Sequence, residues 1–226
     1  DYLSGLEDLV VNVEFRSACK GSDGSLRFGA GHTRHSFLPD MLSHETAIHI
    51  QDDFSLSESI RSSVGIRISM FSSGKTVALS PEPRLEIVAD AGRAVSVKAA
   101  YSRMSQCMHQ LSPSLTTLPV DIWVPVTKRV RPVFSDQASV GLTIDAGGGW
   151  GISLEGYGKF SRNVLEYKDG VLIIDDYKDW EEQVATGLGR SAGVELLLRK
   201  ESGKVTGWLG YTLAKSERRF PDGTIS

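Results

Sequence analysis

The chain has 226 residues, of which 40% are hydrophobic and 23% charged, and its formal net charge is −3. This composition argues against a disordered chain, and the weakly negative charge argues against a nucleic-acid-binding surface. No apolar stretch approaches the ~20 residues that a membrane-spanning helix needs. Two cysteines are too few for a disulfide framework, and the first residues do not resemble a signal peptide. We therefore expect a cytoplasmic protein or a piece of a longer one, and favour the piece.

Ten segments show apolar and polar residues alternating with a period of two, which predicts β-strands with one apolar and one polar face. For example, Val194, Leu196 and Leu198 alternate with Glu195 and Arg199. In chain order the predicted strands are centred on residues 9–15, 26–30, 48–51, 66–70, 84–89, 95–102, 139–144, 152–155, 194–199 and 208–214. We predict an all-β fold, an antiparallel up-and-down meander of about ten long strands.

The predicted connections alternate in length along the chain. Short turns are predicted near 19–24, 52–57, 89–94, 146–149 and 201–204, and longer links near 32–43, 71–80, 104–134 and 166–180, with a further one that starts near 216. This alternation places the tight turns at one end of the sheet and the long loops at the other, as in outer-membrane β-barrels. Two strands, predicted at 150–166 and 181–200, exceed the ~5–6 residues typical of soluble sheets.

Aromatic residues near the strand ends fit the girdles that flank the apolar band of a membrane barrel, although ordinary core packing explains them equally well. These residues are Tyr101, Trp150, Tyr157, Tyr211 and Phe220. A soluble sandwich would show the same alternation with its apolar faces turned inward. Periodicity alone therefore leaves open which medium each face meets.

Several segments resemble the barrel of TonB-dependent outer-membrane receptors, of the type with an N-terminal carboxypeptidase-regulatory-like domain. They are residues 96–132, 154–170 and 189–220, together with SPEPRLEIV (80–88) and FSDQASVGL (134–142). They follow one another in the expected order over most of the chain, from about residue 26 to the end. The resemblance implies part of a transmembrane β-barrel of about 22 strands around a separate plug domain. It also implies import of a scarce nutrient such as a siderophore, cobalamin or a glycan.

The resemblance further implies partners and a location. The expected partners are outer-membrane lipid, a small nutrient ligand and, through an N-terminal part that this sequence lacks, the TonB complex. The expected location is the outer membrane of a Gram-negative cell. Because no plug domain or TonB box is recognisable, we expect residues 1–226 to be a segment of the barrel domain. The alternative is a soluble β-sandwich or barrel that serves as a binding or adhesion module.

No catalytic or cofactor motif is complete in the sequence. SSGKT (72–76) lacks the first glycine of a phosphate-binding loop, because Ser69 holds that position. GLGRSAG (187–193) has Ala192 where a dinucleotide fingerprint has its third glycine, and crowding or strand bending better explains its glycines. We therefore expect no enzymatic activity, no cofactor and no nucleic-acid partner.

The long link at 104–134 is the best candidate for contact with a ligand, because unusually long loops are often functional. Its candidate contact residues are His109, Asp121, Trp123 and Lys128, and prolines at 113, 119, 125 and 132 would stiffen it. The alternative role is a structural lid over the mouth of the barrel. For the histidines between residues 32 and 49 we expect solvated or lumen-facing side chains and no metal, which would need converging ligands.

Overall fold

The protein is almost entirely β-strand in a computed structural model, which describes residues 7–18, 24–37, 41–111, 122–168, 177–221 and 223. The strands are β1 (Glu7–Ala18), β2 (Ser25–Phe37), β3 (Met41–Ser57), β4 (Ile60–Ser73), β5 (Thr76–Ala91), β6 (Val95–Gln106), β7 (Met108–Leu111), β8 (Ile122–Pro125), β9 (Val133–Gly147), β10 (Trp150–Tyr167), β11 (Val184–Lys200) and β12 (Gly207–Arg219). A short 3₁₀ helix covers Tyr177–Glu182. No helix in these ranges is long and apolar enough to cross a membrane.

Ten of the strands form one antiparallel sheet, which confirms the predicted fold. Their order is β1-β2-β3-β4-β5-β6-β9-β10-β11-β12, and β7 pairs with β8 in a separate hairpin. Each of the ten predicted segments lies in one strand of the large sheet. The strands of this sheet are 12 to 18 residues long, two to three times the usual length in soluble sheets.

Three predicted connections were wrong. The links expected near 32–43 and 71–80 are short, because only residues 38–40 separate β2 from β3 and only residues 74–75 separate β4 from β5. At the opposite end, β3 continues through the turn predicted at 52–57, with a register shift between Ser55 and Ser57. The links at 107–132 and 168–183 are long, as predicted. Long loops therefore rise from two of the four internal places where they were expected, and β12 continues to Arg219, past the start near 216 that was expected for a further link.

The register gives the large sheet an apolar face and a polar face. Across β6, β9, β10, β11 and β12, three successive rows of directly paired residues are apolar on one face. These rows are Val95–Ile144–Ile152–Leu198–Leu209, Val97–Leu142–Leu154–Leu196–Tyr211 and Ala99–Val140–Gly156–Val194–Leu213. Because side chains alternate along a strand, the intervening residues lie on the other face, where most are polar or small.

Two prolines mark the place where β5 and β6 separate. Their ladder ends at the pair Arg84 and Ser102, although β5 continues to pair with β4 as far as Thr76. Pro81 and Pro83 lie in that half of β5, and proline has no N–H to donate to a neighbouring strand. The carboxylate of Glu82 instead accepts a hydrogen bond of 3.2 Å from the backbone N–H of Ser105. A side chain thus connects the two strands beyond the end of their ladder.

Two apolar clusters hold the β7–β8 hairpin against the large sheet. The first cluster contains Phe71, Cys107, Met108 and Val126, with Ala78 and Trp123 packed against it. The second contains Leu111, Val124, Val130, Trp180 and Val184, with Leu165 and Tyr167 packed against it. Phe71 pairs with Glu45 and therefore lies on the polar face. The hairpin thus lies between the polar face of β4 and β5 and the 3₁₀ helix with the start of β11.

Two glycines of β11 leave room for aromatic rings. A Cβ atom at Gly187 would lie 2.5 Å from the backbone oxygen of Arg219 and 2.7 Å from the ring of Phe220, and one at Gly193 would lie 2.8 Å from the ring of Tyr157. Real Cβ atoms do not approach other heavy atoms so closely, so a larger residue would displace the rings. Relief of crowding, the role expected from the sequence, therefore accounts for both glycines.

Candidate functional site

The apolar face of the large sheet is exposed. Leu154, Val194 and Leu196 are 43%, 50% and 42% exposed, although they form the centre of the apolar rows. A soluble sandwich would bury such residues between two stacked sheets. Within the described ranges the second sheet is only the short hairpin, and it contacts the polar face through Phe71. The apolar face is therefore a surface suited to lipid.

Charged residues bound the apolar face at both ends of β11. Arg190 and Lys200 lie ten residues apart on this face, and the four residues between them that share it are Ala192, Val194, Leu196 and Leu198. Ten residues of a strand span about 33 Å, which is a height of about 25 Å for a strand tilted by about 40°. This height equals that of the apolar band of outer-membrane barrels, about 25 Å. Lys200 lies 4.8 Å from the ring centroid of Trp150, an aromatic residue at the predicted boundary.

A polar row closes the apolar face at the end that carries the long loops, and we call it the charged belt. Its directly paired residues are Arg103–Asp136–Phe160–Arg190–Glu217. Asp136 accepts hydrogen bonds from Tyr101 Oη at 2.6 Å, Arg103 Nε at 2.7 Å and Arg162 Nη2 at 3.2 Å. The guanidinium of Arg190 lies 5.6 Å from the ring centroid of Phe160, and Lys215 forms an ion pair with Glu217.

The aromatic residues predicted to form girdles have different positions. Tyr101 lies next to the charged belt and Trp150 at the opposite boundary, as a girdle requires. Tyr211 lies within the apolar rows, Tyr157 lies over Gly193 on the polar face, and Phe220 is buried. The structure therefore places two of the five rings at the boundaries of the apolar band.

Ion pairs follow one another along the polar face of β2 to β5. Arg67 lies 3.1 Å from Glu45 and 3.7 Å from Glu82, and Arg27 lies 2.7 Å from Asp53. A groove of about 260 Å³ opens between them and is also lined by His49 and Arg84. Charges that pair in water-accessible grooves suit the interior of a wide barrel, which is polar in this class of fold.

The structure separates the predicted ligand-contact residues. His109 is buried in β7 on the face of the second cluster, while Trp123 of β8 packs against the first cluster on the opposite face. Lys128 is exposed in the link that follows β8, and Asp121 lies outside the described residues. Their contact with a ligand therefore stays a prediction, as does the alternative role of this link as a structural lid over the mouth of the barrel.

Burial dominates the chemistry of the hairpin. It lowers the pKa of His109 to about 4 and raises the pKa of the Cys107 thiol to about 12. The Nε2 atom of His109 has no hydrogen-bond partner among the described residues. His109 is therefore neutral at pH 7 and Cys107 is a protonated thiol, so neither side chain serves as an acid, a nucleophile or a charged ligand contact in this conformation.

The other histidines lie in β2 and β3. The rings of His32 and His44 stack with centroids 5.4 Å apart, and His32 Nδ1 lies 2.9 Å from Thr46 Oγ1. No group of three or more histidine, cysteine or acidic side chains that could hold a metal ion is present in the described part of the chain.

Sequence reasoning missed the charged belt, although the sequence contains a signal for it. Arg103, Asp136, Arg190 and Glu217 occupy positions that continue the apolar alternation of their strands. Charges at apolar-face positions of several strands, all toward the same end of the sheet, mark the height at which that face meets a polar medium.

Solved structures share this fold. The siderophore receptor PirA from Pseudomonas aeruginosa matches with a TM-score of 0.70 and 14% identity over 95% of this chain and 45% of that chain. The FrpB iron transporter from Neisseria meningitidis (F3-3 variant) matches with a TM-score of 0.71 and 11% identity over 98% and 38%. The copper transporter OprC matches with a TM-score of 0.65 and 12% identity over 96% and 38%.

These matches extend over less than half of each solved chain. Neither a family model nor a curated protein matches the sequence. The structures confirm the fold that the sequence resemblance implied: the chain has the architecture of a segment from the barrel wall of TonB-dependent outer-membrane receptors.

Proposed function

We propose that this chain is part of an outer-membrane receptor that imports a scarce nutrient, with its apolar face against lipid and its polar face toward the interior. The observation that carries the proposal is the exposed apolar band, about 25 Å high between charged boundaries. Such a band is stable in lipid, because contact with acyl chains removes its apolar side chains from water. The ion pairs of the polar face then line a water-accessible interior.

The solved receptors and transporters of this fold act on siderophores, iron and copper, which supports import as the function and gives no support to enzymatic activity. We propose a small nutrient of this kind as the ligand and the outer membrane of a Gram-negative cell as the location. Energy would come from the TonB complex through a part of the protein beyond these residues. The β7–β8 hairpin, with His109 and Trp123, is the proposed element nearest to the ligand path.

Spin labels on adjacent residues of β11 test this orientation. Leu196→Cys and Glu195→Cys, labelled in the full-length receptor in bilayers, are expected to report opposite media, because neighbouring strand residues point to opposite faces. The label at 196 should collide with oxygen, which concentrates in lipid, and the label at 195 with a water-soluble nickel chelate. Leu154→Cys and Glu155→Cys on β10 provide the matched pair, since these residues occupy the same two rows. The proposal would be refuted if the label at 196 collided with the nickel chelate and the label at 195 collided with oxygen.

A further inference from the structure

A groove opens on the apolar face directly below the charged belt. Its volume is about 560 Å³, and its lining includes Tyr101, Ala138, Gly158, Ala192, Arg190 and Lys215. Tyr101, Ala138, Gly158, Ala192 and Lys215 form one row of directly paired residues. The three small residues in the middle of the row form the floor, so the groove is apolar along its length. Asp136 lines the end near Tyr101, and Arg190, Lys215 and Glu217 line the other end, where two cations face one carboxylate.

The charged belt itself is neutral, but with the residues next to it this end of the apolar face carries an excess of positive charge. Five cationic side chains share this end of the apolar face with two carboxylates, an excess of three charges (five minus two): Arg103, Arg162, Arg190, Lys215 and Arg219 against Asp136 and Glu217. The chain as a whole has a net charge of −3, so the charge of this surface is opposite in sign to the net charge of the chain. Each carboxylate already lies near more than one cation, and the remaining charge calls for an external anion.

We propose that this groove binds an anionic lipid whose headgroup carries phosphate monoesters, with an acyl chain over Ala138, Gly158 and Ala192 and the phosphate against Arg190 and Lys215. The inference rests on the proposed function, because it requires the apolar face to meet lipid. Charge complementarity and the height of the belt select the occupant: the cations lie at the boundary of the apolar band, where the headgroups of the adjacent leaflet lie. A soluble anion would leave the apolar floor of the groove exposed.

The test uses the full-length receptor in nanodiscs of phosphatidylcholine doped with diphosphoryl lipid A, and native mass spectrometry counts the lipid A that the purified protein retains. The double variant Arg190→Gln and Lys215→Gln is expected to retain less by at least about tenfold, because each cation at the membrane surface contributes about 1 kcal/mol. Ala192→Leu fills the floor without a change of charge and should also reduce retention. Arg199→Gln is the matched control, since Arg199 lies on the polar face of the same strand and pairs with Glu201 at 3.2 Å.

Each outcome distinguishes this proposal from the proposed function. Equal retention by the double variant and by Arg199→Gln overturns the site, as does the absence of lipid A from the wild-type protein. Retention that inorganic phosphate abolishes, and that Ala192→Leu leaves unchanged, overturns the lipid in favour of a free anion. The spin label at Leu196→Cys is measured in the same nanodiscs. If this label collides with oxygen while the lipid A test fails, only the lipid site is refuted. If the label does not collide with oxygen, the proposed function is refuted as well.

Discussion

At the scale of single residues, Asp136 organises the charged belt. Its carboxylate is 21% exposed and accepts hydrogen bonds from Tyr101, Arg103 and Arg162. Asp136→Asn leaves two guanidinium groups without their anion, and we expect the free energy of unfolding to fall by about 1–3 kcal/mol. Denaturation of the full-length receptor in detergent measures this change. Glu86→Gln is the control, because the Lys98–Glu86 pair is exposed and should contribute less than about 1 kcal/mol. Equal effects of the two variants would contradict this role.

His109 predicts a dependence of hairpin docking on pH. Its pKa is about 4 in the folded chain and 6.5 when exposed, so the open hairpin binds the proton more tightly. Docking is fully stable above pH 6.5 and weakens as the pH falls toward 4, by at most about 3 kcal/mol. Hydrogen exchange of the amides of β7, corrected for intrinsic rates, should report this loss of protection. The variant His109→Gln should abolish the dependence, and an unchanged profile in that variant would assign the effect to another group.

At the scale of elements, the hairpin depends on Phe71. This side chain is 0% exposed and packs against Cys107, Met108 and Val126. Phe71→Ala should cost about 3–5 kcal/mol and release the hairpin, because it leaves a cavity in the first cluster. In the docked hairpin, burial raises the pKa of the Cys107 thiol to about 12, and release of the hairpin exposes this thiol to solvent. Maleimide labelling of Cys107 should therefore become faster. The measurement uses a receptor whose other cysteines are replaced by serine.

The control for this experiment is Phe28→Ala. Phe28 is 45% exposed on the apolar face, where it pairs with Ile50 and stacks on Phe15 at 5.2 Å. Its removal should leave the labelling rate of Cys107 unchanged. Acceleration in both variants would show that the thiol responds to general loosening of the sheet and not to undocking of the hairpin.

The elements also show which features the sequence could predict. The ten strands were predictable because residues of the apolar face and residues of the polar face alternate wherever a strand lies within the apolar band. Beyond the band the alternation disappears, as in His32–Ser36 and Ser72–Ser73, yet the strands continue because backbone hydrogen bonds are independent of side-chain polarity. The sequence pattern therefore predicts loops where these extensions lie. The hairpin was missed because two strands of four residues are too short to show a period.

Only those features of the candidate site that appear in the pattern of a single strand were predictable from the sequence. Charges at apolar-face positions were visible in each strand, but their convergence into one belt depends on the register of five strands, which tertiary pairing determines. The burial of His109 and the separation of His109 from Trp123 depend on the two clusters around the hairpin. No short-range pattern encodes contacts between residues so far apart in sequence.

At the scale of the whole molecule, the sheet is open at both edges. In the described ranges β1 pairs only with β2, and β12 pairs only with β11. Every residue of β12 is exposed, among them Leu209, Tyr211 and Leu213 on the apolar face. Unpaired backbone groups are costly in hydrocarbon and promote edge-to-edge association in water. The sheet therefore needs further strands before its apolar face can enter a bilayer.

We therefore predict that the 226-residue chain expressed alone does not fold as a monomer. In water its exposed apolar band and its two edges should drive aggregation, and in detergent micelles the edges should still prevent a cooperative transition. Size-exclusion chromatography and thermal unfolding of the isolated chain measure both effects, and the full-length receptor in the same detergent is the control. A monomeric peak with a cooperative melt would contradict the prediction, because a sheet that is stable with two free edges and a bare apolar face has no need of lipid or of a closed barrel.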